Sequence, residues 1–143
     1  MAKIRTILQA KTNAIISVSP NDTVYNALEL MVQKNVGAIL VLDGAQFAGI
    51  FTERDYARKV ILMGKSSKDT PIAEIMTPNP ITINQDFTVE ECMRLMTNKF
   101  IRHLPVIENE KVIGIISIGD LVKSIIEDQQ FIIDNLEHYI SGR

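Results

Sequence analysis

The sequence predicts an α+β fold built from two β-α-β-β-α repeats related by a pseudo-two-fold axis, with a long helix at the C-terminus. Three observations carry this prediction: an internal duplication, the same order of apolar patterns in each copy, and a periodic apolar segment that runs past the second copy. The chain has 143 residues, of which 46% are apolar, so it is close to one domain of about 150 residues with an ordinary core.

The duplication is the first observation. When the chain is shifted by 65 positions without a gap, residues 17–59 align with residues 82–124. A match of this length that also aligns glycine and aspartate indicates two copies of one unit. We expect residues 1–68 to form the first repeat with a short helix before it, and residues 69–143 the second. Identical pairs include Thr23 with Thr88, Val41 with Val106, Gly49 with Gly114 and Asp55 with Asp120.

Each repeat contains a helix with one apolar face. Thr23 is a typical N-cap, and the residues after it follow the i, i+3, i+4, i+7, i+8 spacing of a buried stripe. The twin helix begins at Thr88 and places Cys92 where the first copy has Ala27, which predicts a small core residue and not a nucleophile. The stripe in the first copy is Val24, Ala27, Leu28, Met31 and Val32.

Two strands follow each of these helices. In the first copy, the apolar runs 38–42 and 47–51 are joined by Asp43-Gly44, a strong hairpin signal. The corresponding runs in the second copy are 103–107 and 112–116. Pro105 has no N–H to donate, so we expect it at a strand start or on a sheet edge.

A second helix completes each repeat. In the first copy it is expected to begin at Thr52 and to end near Gly64, with a polar linker over residues 65–69. Short helices are expected before each copy, over residues 4–10 and 70–76. Because two helices cannot cover both faces of such a sheet, the two repeats should pack against each other.

The last helix is longer than its twin. It is expected to begin near Ser117 and to run to Gly142, some 23 residues or roughly 35 Å at about 1.5 Å per residue. Either the extension folds back on its own chain or it packs on a partner, and we expect a partner subunit of the same kind, hence a homodimer. Its apolar stripe is Leu121, Ile125, Ile132, Leu136 and Ile140.

Composition narrows the possible functions. With 15 basic and 17 acidic side chains the net charge is −2, which lacks the basic excess that binding to a nucleic acid backbone requires. The single cysteine excludes an internal disulfide and, with no clustered histidines, leaves no metal site at ligand spacing. No apolar run approaches the roughly 18 residues of a membrane helix, and no signal-peptide pattern is present. We therefore expect a cytoplasmic protein without a metal.

The most specific local pattern is Gly-x-x-[Ser/Thr]-x-x-Asp, which occurs at 49–55 and again at 114–120. Thr52 or Ser117 can cap the following helix while the aspartate returns the hydrogen bond, which is a capping box. However, a glycine within a strand often marks the close approach of a ligand or of another backbone. A helix start can bind phosphate, and a carboxylate can accept from two vicinal hydroxyls. A ribonucleotide site is therefore the second interpretation.

The duplication and both copies of this motif resemble the CBS domain pair, or Bateman module, in particular the small stand-alone bacterial type. The resemblance covers the chain from about residue 4 to the last helix. It includes the segments Ile75-Met76-Thr77 and Arg102-His103-Leu104-Pro105-Val106.

The resemblance implies that adenosine nucleotides (AMP, ADP or ATP, with NAD possible) bind in two clefts between the repeats. Asp55 and Asp120 would hold the ribose diols, with Thr52 and Ser117 beside the ribose or phosphate. Arg54 offers a phosphate partner where the second copy has Gly119, so the two clefts should hold phosphate tails unequally. Ile16 and Ile81 at the first strand of each copy, and Ile39 and Leu104 at the second, would hold the base through apolar contact and backbone hydrogen bonds. Further candidates are Arg102 and His103, which replace Gly37 and Ala38 and which an exposed strand edge would also explain.

The expected function is that of a regulatory module that senses nucleotides and modulates a partner protein in trans. No Walker loop, Gly-x-Gly-x-x-Gly, Gly-x-Ser-x-Gly or His-Glu-x-x-His pattern is present, which argues against an enzyme. The alternative function is a structural homodimerisation scaffold whose clefts bind no ligand.

Overall fold

The computed structural model describes residues 2–11 and 15–141, and the predicted order of elements is present. Each repeat contributes a helix, a hairpin and a second helix, and a short helix precedes each repeat. The first half contains α1 (Ile4–Ala10), β1 (Ser17–Val18), α2 (Val24–Lys34), β2 (Ala38–Asp43), β3 (Gln46–Thr52) and α3 (Glu53–Asp55), which continues as a π-helix over Tyr56–Ile61. The second half contains α4 (Ile72–Ile75), β4 (Thr77–Pro78), α5 (Val89–Lys99), β5 (His103–Glu108), β6 (Lys111–Ser117) and α6 (Ile118–Ser141).

The predicted helix signals are confirmed. Thr23 caps α2 by accepting from the backbone N–H of Asn26 at 3.1 Å, and Thr88 caps α5 in the same way. The π-helix is followed by Gly64 in the left-handed region at φ +69°. Cys92 is buried, and burial together with the nearby Glu91 raises the pKa of its thiol to about 11. A protonated, inaccessible thiol is a core residue, as expected.

One residue of the predicted α2 stripe is not in the core. Val24, Ala27 and Met31 are buried, but Val32 is 81% exposed. At about 100° per residue, the eighth position after Val24 lies about 80° away from it around the helix axis. Val32 therefore lies beside the core, and its predicted burial is wrong.

The turn of the first hairpin lies one residue later than the sequence signal suggested. Asp43 pairs with Gln46, so that Gly44 and Ala45 form the turn between β2 and β3. Gly44 has φ +62°, the conformation that glycine adopts without steric cost. The hairpin itself is confirmed.

The two repeats differ in their sheets because of Pro105. In the first repeat Leu40 donates its N–H to the carbonyl of Ile16, which extends the parallel pairing of β1 with β2. Pro105 occupies the position of Leu40 and has no N–H, so it cannot make the same bond to Ile81. The expected first strand of the second repeat is reduced to a single bridge between Ile83 and Val106. Pro105 lies in a two-stranded sheet, β5-β6, in agreement with the predicted edge position.

The short helix before each repeat packs in the core of the other repeat. Ile4 and Leu8 of α1 lie in the core of the second repeat, while Ile72 and Ile75 of α4 lie in the core of the first. The predicted division at residues 68 and 69 separates the duplicated sequences, but each core draws residues from both sides of it. β4 also crosses over, since it pairs with β3 of the first repeat.

The uncovered sheet faces meet between the repeats, as expected. The contact is a small apolar layer in which Leu40 and Ile50 of the first repeat pack with Ile115 of the second. Because one face of each sheet is covered by helices and the other by the second repeat, the ends of the strands remain open at the boundary.

The last helix projects beyond the domain. α6 has 24 residues, about 36 Å at about 1.5 Å per residue. Leu121 is fully buried and Ile125 is partly buried, but residues 126–140 are all exposed. The extension therefore does not fold back on the described chain, and that alternative is wrong. The expected end at Gly142 lies outside the described residues. None of the described helices is long and apolar enough to span a membrane.

Candidate functional site

A cavity of about 500 Å³ opens at the boundary between the two repeats. Ligand pockets in proteins commonly measure about 300–1,000 Å³, so this volume suits a small molecule. The cavity combines one apolar wall with several charged side chains. The apolar residues are Ile50, Pro80, Ile81, Ile101 and Ile118. The charged and titratable residues are Glu53, Arg54, Asp55, Arg102 and His103.

Asp55 lies in this cavity with a residual exposure of 6%. One carboxylate oxygen, Oδ2, accepts from the backbone N–H of Thr52 at 3.0 Å and from its hydroxyl at 3.1 Å. The other, Oδ1, accepts from the hydroxyl of Thr77 at 3.0 Å and pairs with Lys59 at 2.9 Å. Since the N–H of Asp55 in turn donates to the Thr52 hydroxyl, the predicted capping box is present.

Asp120 makes the same capping interaction in the second repeat. Its Oδ2 accepts from the backbone N–H of Ser117 at 2.9 Å and from Lys11 at 2.8 Å. Lys11 also donates to the carbonyl of Ile115. Burial alone would raise the pKa of Asp120, but the hydrogen bonds from Lys11 and Ser117 outweigh it, so this pKa lies below its ordinary value.

The two aspartates are paired with lysines from different parts of the chain. Lys59 lies one helical turn after Asp55, and its counterpart in the second repeat is Ser124. Lys11 comes from the segment before the first repeat, and its counterpart is Met76. The repeats therefore conserve the carboxylate but not the position of its cation. The sequence does contain a signal for this difference, since each of the two aligned pairs has a lysine in one repeat only.

Arg54 connects the two repeats at the cavity. Its guanidinium donates to the backbone carbonyl of Phe100, in the residue after α5. Phe100 has φ +55° and an exposed ring, a backbone conformation that is uncommon for a bulky residue. The counterpart of Arg54 is Gly119, so the second repeat cannot make the equivalent bond.

Arg102, just before β5, and His103, its first residue, line the cavity. A Cβ atom built on Gly37 would lie 3.6 Å from the His103 ring, which places this histidine against the first repeat. Burial is the largest cause that lowers the pKa of His103 from 6.5 to about 4; Asp120 opposes the shift, while Lys11, Arg102 and Arg54 contribute to it. The imidazole is therefore neutral at physiological pH.

Several of the predicted site residues do line the cavity: Thr52, Arg54, Asp55, Ile81, Arg102 and His103. Ile39 and Leu104 do not, because both are fully buried in separate cores. Their side chains therefore do not contribute to this cavity, and the expected contact of these positions with a base stays a prediction. Strand residues that face inward pack against the helices of their own repeat.

The expected second cleft is described only in part. Ser117 and Asp120 lie beside Lys11, and residues 12–14, which the duplication aligns with Thr77–Asn79, lie outside the described chain. Ile16 is half-buried and packs on the core of the first repeat. The cavity also contains residues that were not predicted as site residues: Gly37, Ile50, Glu53, Thr77, Asn79, Pro80, Ile101 and Ile118.

The glycine of the motif accommodates a backbone. A Cβ atom on Gly49 would lie 2.5 Å from the carbonyl oxygen of Thr77, where β4 crosses to β3. Of the two explanations for a glycine in this strand, close approach of another backbone is therefore present. This contact holds the segment that carries Thr77 against the first repeat.

We expect Gly49→Ala to lower the free energy of unfolding by about 2 kcal/mol, because overpacking against fixed backbone forces a shift of β4. Gly119→Ala is the matched control, since a Cβ atom there meets only the Ser117 hydroxyl at 3.6 Å. In this control the free energy of unfolding should rise by about 0.5 kcal/mol, because alanine has a higher helix propensity than glycine. Urea unfolding of both variants measures the difference, and equal stabilities would contradict the close approach at Gly49.

The described residues contain no group of three or more histidine, cysteine or acidic side chains that could hold a metal ion. The chemistry available in the cavity is that of guanidinium groups, carboxylates, a neutral imidazole, hydroxyls and apolar side chains. Such a set binds anions and flat apolar groups.

Comparison with known proteins gives concordant matches. The family model described as "CBS domain" matches residues 7–61 and 72–127. The mitochondrial CBS domain-containing protein CBSX3 of Arabidopsis thaliana is 43% identical over 127 residues, which are 85% of this chain and 62% of that protein. The chain thus spans less than two thirds of that relative.

Solved structures match over most of the chain. A protein with CBS domains from Burkholderia ambifaria MC40-6, described in terms of signal transduction, is 51% identical with a TM-score of 0.85 and covers 90% of this chain and 96% of its own. The hexameric CBS-CP12 protein from bloom-forming cyanobacteria is 28% identical with a TM-score of 0.74, over 85% of this chain and 70% of its own.

Proposed function

The chain belongs to the CBS domain family, and from this premise we propose that it is a regulatory module that binds an adenosine nucleotide in the cavity between its repeats. Stand-alone proteins of this family are typically regulatory and not catalytic. The proposed ligands are AMP, ADP or ATP, with NAD as a further candidate. The observation that carries the proposal is the cavity itself, with apolar and cationic side chains facing one space.

The residues that line the cavity match the chemistry of the base and of the phosphates of a nucleotide. Ile81 is 37% exposed, because Pro105 does not hold it in a strand, and it faces the cavity with Ile101 and Ile118. These side chains offer an apolar surface for a base. Arg54 and Arg102 offer charge-assisted hydrogen bonds to phosphate, which are among the stronger polar interactions in proteins.

The ribose is proposed to bind at Asp55. Its Oδ1 now accepts from Thr77 and Lys59, and two vicinal hydroxyls can replace those donors at the same oxygen. Oδ2 keeps its bonds to Thr52, so the helix cap survives ligand binding. The hydroxyl of Thr52 lies beside the same position.

The second cleft is proposed as the weaker site for charged tails. There Ser117 and Asp120 are the expected contacts, with Ile16 near the base, but Lys11 already pairs with the carboxylate. Gly119 provides no guanidinium where the first cavity has Arg54. The proposed unequal retention of phosphate tails between the clefts rests on the positions of two cations, Lys11 and Arg54.

Ligand binding is proposed to change the relative orientation of the repeats. At the cavity Arg54 reaches the second repeat through the carbonyl of Phe100, and Asp55 accepts from Thr77 of the crossing strand β4. A nucleotide competes for both, and it shifts the orientation only by its difference in affinity between the two arrangements. A cytoplasmic effector protein would read this shift in trans.

Calorimetric titration with ATP, ADP, AMP, NAD, S-adenosylmethionine and adenosine tests the proposal, with thermal unfolding as a second readout. A ligand at 100 times its dissociation constant stabilises the fold by about 2.7 kcal/mol. We expect Arg54→Gln to weaken binding of ATP about tenfold and that of adenosine much less, because one charge-assisted bond is lost. Arg58→Gln is the matched control, since Arg58 lies on the next turn and outside the described lining.

Two outcomes would contradict the proposal. If none of the six ligands binds or raises the unfolding temperature, the chain is better described as a dimerisation scaffold with empty clefts. If ATP binds but Arg54→Gln and Arg58→Gln behave alike, the nucleotide does not occupy this cavity.

A further inference from the structure

The outer half of α6 is an exposed helix with a pronounced apolar side. Residues 126–140 are all exposed although they include seven large apolar side chains. An isolated helix of about 15 residues is marginal in water, so most of its stability must come from a surface that covers its apolar side. The CBS domain match ends at residue 127, so this segment is an addition to the family's unit.

The apolar side has the spacing of a paired helix. Positions spaced alternately by four and three residues run along one side of α6, which is the a and d pattern of a coiled coil. Isoleucine occupies every a position of this run. We call this set the α6 seam, and it consists of Val122, Ile126, Gln129, Ile133, Leu136 and Ile140.

Charges beside the seam select one orientation of a second helix. Lys123 and Glu137 lie on the same flank and at equal distances in sequence from Gln130. In an antiparallel pair centred near residue 131, Lys123 faces the partner's Glu137, and the same contact recurs at the other end. In a parallel pair Lys123 and Glu137 face apolar residues, since the other flank consists of Ile125, Ile132 and Tyr139.

We propose that α6 pairs in antiparallel orientation with α6 of a second copy of this chain, joined along the α6 seam. Val122 then meets the partner's Ile140, and Ile126 meets the partner's Leu136. The apolar flank closes on itself around Ile132. The acidic residues Glu127 and Asp134 face away from the seam, where they remain solvated. The pairing does not depend on nucleotide binding, so the two proposals fail separately.

Charge exchange between two variants tests the orientation. In Lys123→Glu and in Glu137→Lys, both flanking contacts of the homodimer become repulsive, whereas a mixed dimer of the two variants has two attractive contacts. Sedimentation of the unmodified chain should give twice the 16.0 kDa of the protomer. We expect each variant alone to dimerise about tenfold more weakly, and their mixture to recover the original affinity.

Substitutions on and off the seam test its register. Leu136→Asp should abolish the dimer, while Phe131→Ser, which removes an exposed apolar side chain opposite the seam, should leave it intact. Circular dichroism shows whether each variant retains its fold. A protomer that stays monomeric, or equal effects of the two changes in folded variants, would overturn the proposal.

Cross-linking separates the two orientations directly. In a Cys92→Ala background, a short bis-maleimide should join protomers of Gln130→Cys but not of Val122→Cys if the helices are antiparallel. The reverse result indicates a parallel pair, because the d positions then face each other, and it would overturn the proposed orientation.

Discussion

Replacement of Asp55 by alanine is expected to lower the free energy of unfolding by about 3 kcal/mol, because it removes a helix cap and the acceptor for a buried network. The carboxylate accepts from Thr52 through one oxygen and from Thr77 and Lys59 through the other. With alanine at this position, the Thr77 hydroxyl loses its acceptor at the boundary between the repeats. The connection from the start of α3 to β4 is lost at the same time.

Variants of Lys59 and of Asp120 show how much each interaction of the carboxylate contributes to the free energy of unfolding. Lys59 is well exposed, so water can replace its ion pair and Lys59→Met should cost less than about 1 kcal/mol. Asp120→Ala is the matched change in the second repeat, where the carboxylate is more accessible, and we expect about half the loss. Urea denaturation at pH 7 compares the three variants. If Asp55→Ala and Lys59→Met have equal effects, the network does not hold the repeats together.

The second large effect is a loss of stability between pH 7 and pH 5 that depends on His103. Burial lowers the pKa of this histidine to about 4 from its ordinary 6.5. Since the folded pKa is lowered, the unfolded chain binds the proton first. The stabilisation is complete above pH 6.5 and is lost as the pH falls toward 4. By pH 5 the loss amounts to about 2 kcal/mol.

His103→Gln isolates this effect because it keeps a polar side chain of similar size that does not titrate. The groups that face the imidazole are Arg54, Arg102, Lys11 and Asp120, and none of these has an ordinary pKa between 5 and 7. Thermal unfolding from pH 7 to pH 5 should therefore give a much flatter profile for the variant. Parallel profiles for the two proteins would show that protonation of His103 does not destabilise the fold.

The elements of this fold follow from short stretches of sequence. The caps at Thr23 and Thr88, the hairpin near Gly44 and the long helix after Ser117 each depend on residues within a few positions of one another. Because the sequence is duplicated, each assignment made in one repeat also applies to the equivalent residues of the other repeat. Local pattern was insufficient where geometry decides which face of a helix is covered, as for Val32.

The candidate site was predictable as a set of positions and not as a set of contacts. The motif marked Thr52 and Asp55, and the breaks in symmetry marked Arg54, Arg102 and His103, all of which line the cavity. The side chains of Ile39 and Leu104, expected beside a base, lie in the two cores, because a strand residue can face either its own core or the opening. Only the tertiary structure, which shows which face of each sheet is covered by helices, distinguishes these two orientations.

Sequence alone determined the duplication, the order of elements and the capping boxes, because all of these depend on periodicity and on neighbours along the chain. Tertiary structure alone decided that Lys11 pairs with Asp120, that α1 packs in the core of the second repeat, and that a cavity remains beside Asp55. These contacts join groups as far as 109 residues apart. Their partners are set by the relative placement of two rigid repeats, which no local pattern records.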